Sequence, residues 1–358
     1  MTPCRSLLCR ILILCLLPLA SGCRSGEESL PALGADLSQT SVSGLSAGGY
    51  MAGQFHVAHS HDVAGAAILA AGPYGCAQSA GADAFPFLPA ALAYNLAQAQ
   101  NVCMAGNLAE YGALDAKKLG ERAAALAQQG KIDPLSGLKR SKIYLYSGAD
   151  DRTVAKAVVE AAREFYLDAG VPAGNIEFVT KDPGGHAFLT ADKGAACGTS
   201  APPYVSNCHY DQAGEILRFI YGALAPKVAA KPENFITFAQ RPYASRKAAL
   251  AEEGVVYVPS ECRMAACRVH IVFHGCKQSR ADAGDAVIRD TGFADWAETN
   301  RIVVLFPQVA ASQLNPKGCW DWWGYTGLDF PTRDAPQIKA ARAMLHRLGE
   351  MPAAKPPN

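Results

Sequence analysis

Five residues constrain this chain more than any others: Gly44-Leu45-Ser46-Ala47-Gly48, lying between a strand-like run, Thr40 to Ser43, and a helical pattern, Ala47 to Ser60. A serine flanked by glycines at this spacing suits a sharp strand-to-helix turn, where the serine backbone is strained and neighbouring segments come too close for side chains. Such a turn holds Ser46 out at the C-terminal edge of a sheet. The helix starting at Ala47 adds positive potential from its unpaired N–H groups, which favours negative charge developing on a reacting oxygen. Taken alone, the motif is also compatible with a Gly/Ser-rich turn of no chemical role.

The rest of the chain supplies a sheet for that turn. Apolar runs at Val63 to Ala70, Lys142 to Ser147, Ile176 to Thr180, Phe235 to Ala239, Gly254 to Pro259, Val269 to Phe273 and Ile302 to Phe306 bring the number of expected strands to eight. Between them, helical patterns run over Ala123 to Gln129, Thr153 to Asp168, Gln212 to Tyr221, Asp285 to Thr299 and Gln337 to Leu348. This alternation, punctuated by many of the 33 Gly and 22 Pro, predicts an α/β fold with one mainly parallel central sheet flanked by helices. Residues 35–350 read as a single domain. A connector, Ala225 to Pro232, joins its 35–225 and 233–350 halves.

A serine nucleophile needs a base and an orienting acid, and on a sheet of this kind the order is Ser, then Asp or Glu, then His. After the strand ending at Ser147 comes Gly148-Ala149-Asp150-Asp151-Arg152-Thr153-Val154; Asp151 is the assigned acid, with Asp150 as the alternative and helix capping as the competing role of either. After the strand ending at Thr180 comes Pro183-Gly184-Gly185-His186-Ala187-Phe188, which places His186 on a loop at the same edge as the expected base. His56, His59 and His61 lack a convincing metal-ligand spacing. His209 and His346 look like surface residues, and His270 lies within a strand. His274 ends an apolar strand as His274-Gly275-Cys276, the kind of loop that supplies a second oxyanion-hole N–H beside that of the residue after the nucleophile. Its position far downstream of Ser46 is unusual. Too few residues precede Ser46 for the strands that normally come first, and four strand-like segments follow His186 instead, so the sheet reads as circularly permuted.

Arg5 and Arg10 precede an apolar run of about ten residues, well short of the ~18 needed to span a bilayer, so residues 1–22 read as a secretory signal. Leu19-Ala20-Ser21-Gly22-Cys23 is similar to a lipobox, which makes Cys23 a candidate lipidation site ahead of a 23–34 linker; cleavage nearby and free secretion is the other reading. Of 12 cysteines, Cys4, Cys9 and Cys15 leave with the signal and Cys23 would carry the lipid, leaving eight. Near neighbours pair Cys76 with Cys103, Cys197 with Cys208 and Cys262 with Cys267, leaving Cys276 for Cys319. This is one of roughly a hundred connectivities. None has CxxC spacing, which disfavours a zinc site and supports disulfides in an oxidising compartment. With 33 basic against 32 acidic side chains the chain has no field for a nucleic-acid backbone.

These motifs together resemble the secreted poly(3-hydroxybutyrate) depolymerases of the single-domain, circularly permuted α/β-hydrolase type. The carriers are GLSAGGYM (Gly44 to Met51), SGADDRTV (Ser147 to Val154), GGHAF (Gly184 to Phe188), FHGCKQ (Phe273 to Gln278) and GCWDWWGY (Gly318 to Tyr325). The resemblance implies a triad of Ser46, Asp151 and His186 and an oxyanion hole from the N–H groups of Ala47 and Cys276. It also implies a polyester groove lined by Trp320, Trp322, Trp323 and Tyr325, with core packing as the competing role of each ring. The expected protein is a monomeric, cofactor-free and metal-free esterase, secreted to the periplasm or the medium or lipid-anchored to the outer membrane. A feruloyl or acetyl esterase of the same mechanism and a non-catalytic binding lipoprotein are the alternatives. Peptide mapping of the mature protein under non-reducing conditions should recover the eight cysteines as bridges; free thiols at most of them would dismiss the disulfide framework.

Overall fold

The computed structural model describes residues 29–352 except 86, 106–113 and 182. The expected signal segment, Cys23 and the first part of the 23–34 linker lie outside the described residues. An eight-stranded sheet runs in the order β4-β3-β2-β1-β10-β11-β9-β8. Its members are β1 (Thr40–Leu45), β2 (Val63–Leu69), β3 (Lys142–Gly148), β4 (Ile176–Lys181), β8 (Phe235–Ala239), β9 (Glu253–Tyr257), β10 (Arg268–Phe273) and β11 (Ile302–Phe306). The pairs from β4 through β11 are parallel, while β9 lies antiparallel to both β11 and β8. Three short strands, β5 (Phe188–Thr190), β6 (Ala195–Ala196) and β7 (Val205–Asn207), form a second, parallel sheet.

The first strand of the chain is therefore central. Residues before the connector build one half of the sheet outward from β1, and residues after it build the other half outward from β10, in the permuted order of an α/β-hydrolase sheet. β1 meets β10 in register, Ser41 opposite His270 and Gly44 opposite Phe273. The ends of the domain also meet: the N–H groups of Leu33 and Ala35 donate to the Leu348 carbonyl, and that of Gly34 to the Glu350 carbonyl. Contact between the ends is what lets a sheet of this kind be rewired at little cost to its core.

Helix α1 (Ala47–Ala58) packs on β1, β2 and β10 with every residue buried, and α5 (Lys156–Asp168) packs against β3. On the opposite face lie α6 (Gln212–Tyr221), whose Ile220 meets Gly65, and α9 (Phe293–Asn300), whose Phe293 stacks on His270. Of the remaining helices, α2 (Ala80–Ala84), α3 (Leu88–Asn101) and α4 (Ala116–Gln128) precede β3, α7 (Arg280–Ala283) and α8 (Ala286–Arg289) follow β10, and α10 (Pro336–Gly349) closes the domain. The helix expected over Asp285 to Thr299 is two helices, α8 and α9, because Gly292 takes a left-handed φ of 90° between them. The helix expected from Thr153 begins at Lys156 instead, for a reason that lies in the site.

Because β1 is buried on both faces, its polar side chains must find partners inside the protein. Ser41 and Ser43 clamp His270 from both ring nitrogens, at 2.6 and 2.8 Å, and the Tyr221 hydroxyl lies 2.6 Å from Ser41 Oγ. His56 is held in the same manner by Tyr166 (3.1 Å) and Ser141 (3.0 Å). Burial holds both imidazoles neutral, with pKa values lowered to about 3, and lowers those of His59 and His274 to about 4. In the unfolded chain each would titrate near 6.5, so below that pH the unfolded state binds more protons than the folded one. Stability therefore falls as pH drops from about 6.5 towards 4, before most carboxylates titrate. Urea midpoints measured at intervals between pH 7 and 4.5 should decline steadily; a flat profile would contradict the neutral state of these histidines.

Candidate active site

Ser46 follows β1 directly, at φ 57° and ψ −121°, a backbone conformation that few residues other than glycine adopt. Two glycines make this turn possible. A Cβ on Gly44 would stand 2.1 Å from the Gly48 carbonyl oxygen, and one on Gly48 would stand 2.1 Å from that of Phe273. The second contact joins the start of α1 to the end of β10, so the serine turn and the following loop of β10 are packed backbone to backbone. The Ser46 N–H donates to Leu69 O at 2.8 Å, fixing the turn to β2 as well.

His186 arrives from the β4 side of the sheet edge. Its Nδ1 lies 2.8 Å from Asp151 Oδ2, and both side chains are almost fully buried. The other oxygen of Asp151 accepts from the N–H groups of Thr153 and Val154 at 2.7 and 3.0 Å. These bonds hold 151–154 as a turn and delay α5 to Lys156. Asp151 thus bonds His186 with one oxygen and closes its own turn with the other; it does not cap the helix, whose N-cap is Ala155 with no side-chain cap bond. Ser200 Oγ accepts from the His186 N–H at 2.8 Å, and the Tyr204 ring stands edge-on to the imidazole at 6.3 Å. Ser46 and His186 line one cleft of about 350 Å³. The Ser46 hydroxyl makes no hydrogen bond among the described residues, so its contact with His186 Nε2 would have to tighten when a substrate binds.

Cys276 lines this cleft and Ala47 directly follows the cleft residue Ser46, and neither N–H is taken by a backbone acceptor among the described residues. Cys276 is oriented by a buried network. Val309 N–H donates to His274 Nε2 at 3.1 Å, which leaves the proton on Nδ1, and Nδ1–H donates to the Gly275 carbonyl at 2.8 Å. That carbonyl and the Cys276 N–H share one planar peptide unit, so fixing the first sets the direction of the second. Gln278 completes the frame: Oε1 accepts from Gly275 N–H at 2.7 Å, and Nε2 donates to the carbonyls of Pro203 and Tyr204 at 2.9 and 3.1 Å. One amide therefore ties the Cys276 loop to the segment beside His186. Gln278 closes the FHGCKQ motif, but the sequence pattern assigns it no role.

The four disulfides are Cys76–Cys103, Cys197–Cys208, Cys262–Cys267 and Cys276–Cys319. The last of these brings the tryptophan-rich segment beside the Cys276 loop. Trp322 and Trp323 line the cleft, and Trp322 stacks on Tyr50 of α1 with centroids 4.3 Å apart. Trp320 and Tyr325 do not line it, which corrects the groove expected from the sequence. Trp320 is fully buried against Phe273 and His274. Tyr325 is turned inward, donating to Cys319 O at 2.7 Å and accepting from Asn315 Nδ2 and Gln337 Nε2. Between them, Asp321 accepts from the N–H groups of residues 323 to 326 and from the Thr326 hydroxyl, which shapes the segment so that its middle rings, Trp322 and Trp323, reach the cleft while Trp320 and Tyr325 turn inward. Leu96, Ala99 and Gln100 of α3 also line the cleft. This helix was not foreseen.

No protein-family model matches the chain. It is 38% identical over 326 residues to a poly(3-hydroxybutyrate) depolymerase of Delftia acidovorans, covering 89% of this chain and 61% of that protein. It is 33% identical over 319 residues to a polyhydroxybutyrate depolymerase of Talaromyces funiculosus, covering 84% and 86%. Among solved structures, a PHB depolymerase with one serine replaced by alanine, complexed with an R3HB trimer, superposes with a TM-score of 0.79 at 29% identity, over 90% of this chain and 100% of the other. A PHB depolymerase from Penicillium funiculosum superposes with a TM-score of 0.77 at 29% identity, covering 90% and 98%.

The backbone contact at Gly48 gives a paired test. Gly48→Ala should destabilise the fold by about 2 kcal/mol or more, since neither carbonyl it meets can move freely. Gly120→Ala, in open space on α4, should stabilise it by about 0.5–1 kcal/mol. Denaturant midpoints of equal sign for the two variants would contradict the packing described.

Proposed function

The chain belongs to the poly(3-hydroxybutyrate) depolymerase family, and from that premise we propose that it is a secreted serine hydrolase cleaving ester bonds of short-chain polyhydroxyalkanoate or its oligomers. The observation that carries this reading is the convergence on one cleft of Ser46, of His186 held by Asp151, and of Cys276, whose N–H, like that of Ala47 beside Ser46, has no backbone acceptor among the described residues. In the proposed reaction His186 Nε2 takes the Ser46 proton as Oγ attacks the ester carbonyl, while Asp151 holds the imidazole through Nδ1. The two N–H groups stabilise the tetrahedral oxyanion. Its collapse breaks the ester C–O bond, the alcohol leaves with the proton from His186, and Ser46 remains acylated. Water, deprotonated by His186, then attacks the acyl carbon and frees the acid.

Trp322 and Trp323, largely buried, each present a small apolar part of the ring to the cleft, a surface suited to a methyl-bearing ester chain. Residues 35–350 would act as one catalytic domain without metal or organic cofactor, as a monomer. Four disulfides support an oxidising compartment, and the lipobox-like segment supports lipid attachment at Cys23. The reading favours amorphous polymer and soluble oligomers.

The test is release of hydroxy acid from amorphous poly(3-hydroxybutyrate) by the mature protein and by Ser46→Ala, with 3-hydroxybutyrate trimer and a feruloyl ester in parallel. Wild type should release product from polymer or trimer, with turnover lost by a factor of about 10⁴ or more in the variant. Cleavage of the feruloyl ester alone would overturn the substrate assignment, and comparable activity in Ser46→Ala would overturn the nucleophile.

A further inference from the structure

The cleft is lined largely by apolar and neutral polar groups, yet two lysines, Lys277 and Lys317, also line it, and among the described residues no carboxylate does. Both are exposed. Other lysines of the protein form ion pairs, such as Lys231 with Glu298 and Lys339 with Asp334, but neither Lys277 nor Lys317 has an acidic partner among the described residues. The carboxylate near Gly318, Asp282, accepts from the Ser279 hydroxyl at 2.6 Å instead. The two lysines are held together by backbone. Lys277 adopts a left-handed φ of 58°, its N–H donates to Lys317 O at 2.8 Å, and the Cys276–Cys319 bridge closes the same pair of loops. Two lysines are thus tied backbone to backbone at a cleft with no counter-charge in its lining among the described residues, next to the Cys276 N–H proposed for the oxyanion.

A polyester chain is neutral along its length and bears one negative charge, at its free carboxyl end. We propose that Lys277 and Lys317 form a subsite for that terminal carboxylate, so that the cleft prefers short oligoesters ending in a free acid over neutral chains of equal length. This rests on the ester-hydrolase reading of the same cleft and adds the end group it selects. Each cut within a polymer leaves a fragment with a new carboxylate, and such a fragment would be a better ligand than its parent. Because both ammonium groups are exposed, the preference should be modest and weakened by salt.

Binding separates this proposal from the hydrolase reading. In the Ser46→Ala protein, calorimetry should show 3-hydroxybutyrate trimer bound about fivefold more tightly than its methyl ester at low ionic strength. The ratio should shrink at high salt, approach one with Lys277→Gln and Lys317→Gln together, and persist when both lysines become Arg. Equal affinities for acid and methyl ester, or a preference that survives the double Gln substitution, would overturn the subsite. Trimer turnover by wild type, followed in parallel, tells the two readings apart. Turnover with equal affinities removes only the carboxylate subsite, whereas a lysine-dependent preference without turnover keeps the subsite and removes the hydrolase assignment.

Discussion

The packing of the serine turn against the end of β10 is the contact on which the rest of this molecule depends. Gly44, Gly48 and the Phe273 carbonyl leave no room for a single methyl group, so the seam between the two halves of the sheet closes only with glycine at both positions. Closing it puts the residue after Ser46 and the loop after β10 side by side at the point where the strand order diverges, the place where open α/β sheets form their binding crevices. A sheet assembled from two sequence-distant halves thereby brings both oxyanion N–H candidates to one edge.

Much of this was legible in the chain. Strands such as Phe235–Ala239 and Ile302–Phe306 were recovered to the residue, because short apolar runs bounded by turn residues leave little choice of structure. The order Ser46, Asp151, His186 was legible because each lies just beyond a strand end. The wall formed by Leu88–Asn101 was not. Ala91, Asn95 and Ala99 bury one face of that helix, but Leu88, Tyr94 and Leu96 are exposed on others, so no single apolar stripe marks it. The division of labour among the tryptophan-rich residues was equally hidden. Trp320 goes to the core and Trp322 and Trp323 to the cleft through the backbone turn that Asp321 holds, a geometry that residue type alone does not encode. Gln278 was silent for a similar reason, since its partners at Gly275 and Pro203-Tyr204 come from segments remote in sequence.

Polar groups inside this core act as orienting devices rather than as stored charge. His270, His56 and His274 are each neutral and each spend both ring nitrogens on fixed partners, so every one specifies a geometry that an apolar residue of like size could not. Asp151 follows the same logic beside the cleft. With one oxygen on the backbone of its own turn and the other on His186, any motion of the loop would be felt directly by the imidazole.

The clasp between residues 33–35 and 348–350 has a consequence for how the whole molecule sits in space. It lies just ahead of β1, where Asp36 N–H also donates to Cys267 O before β10 begins, and so at the end of the parallel strands opposite the one that bears Ser46. A tether joined at residues 33–35 or 348–350, whether a lipid, a bead or a fused protein, would therefore grip the molecule by its base. The cleft would face away from the support and towards the surrounding medium, and a graft on one end would point the molecule the same way as a graft on the other.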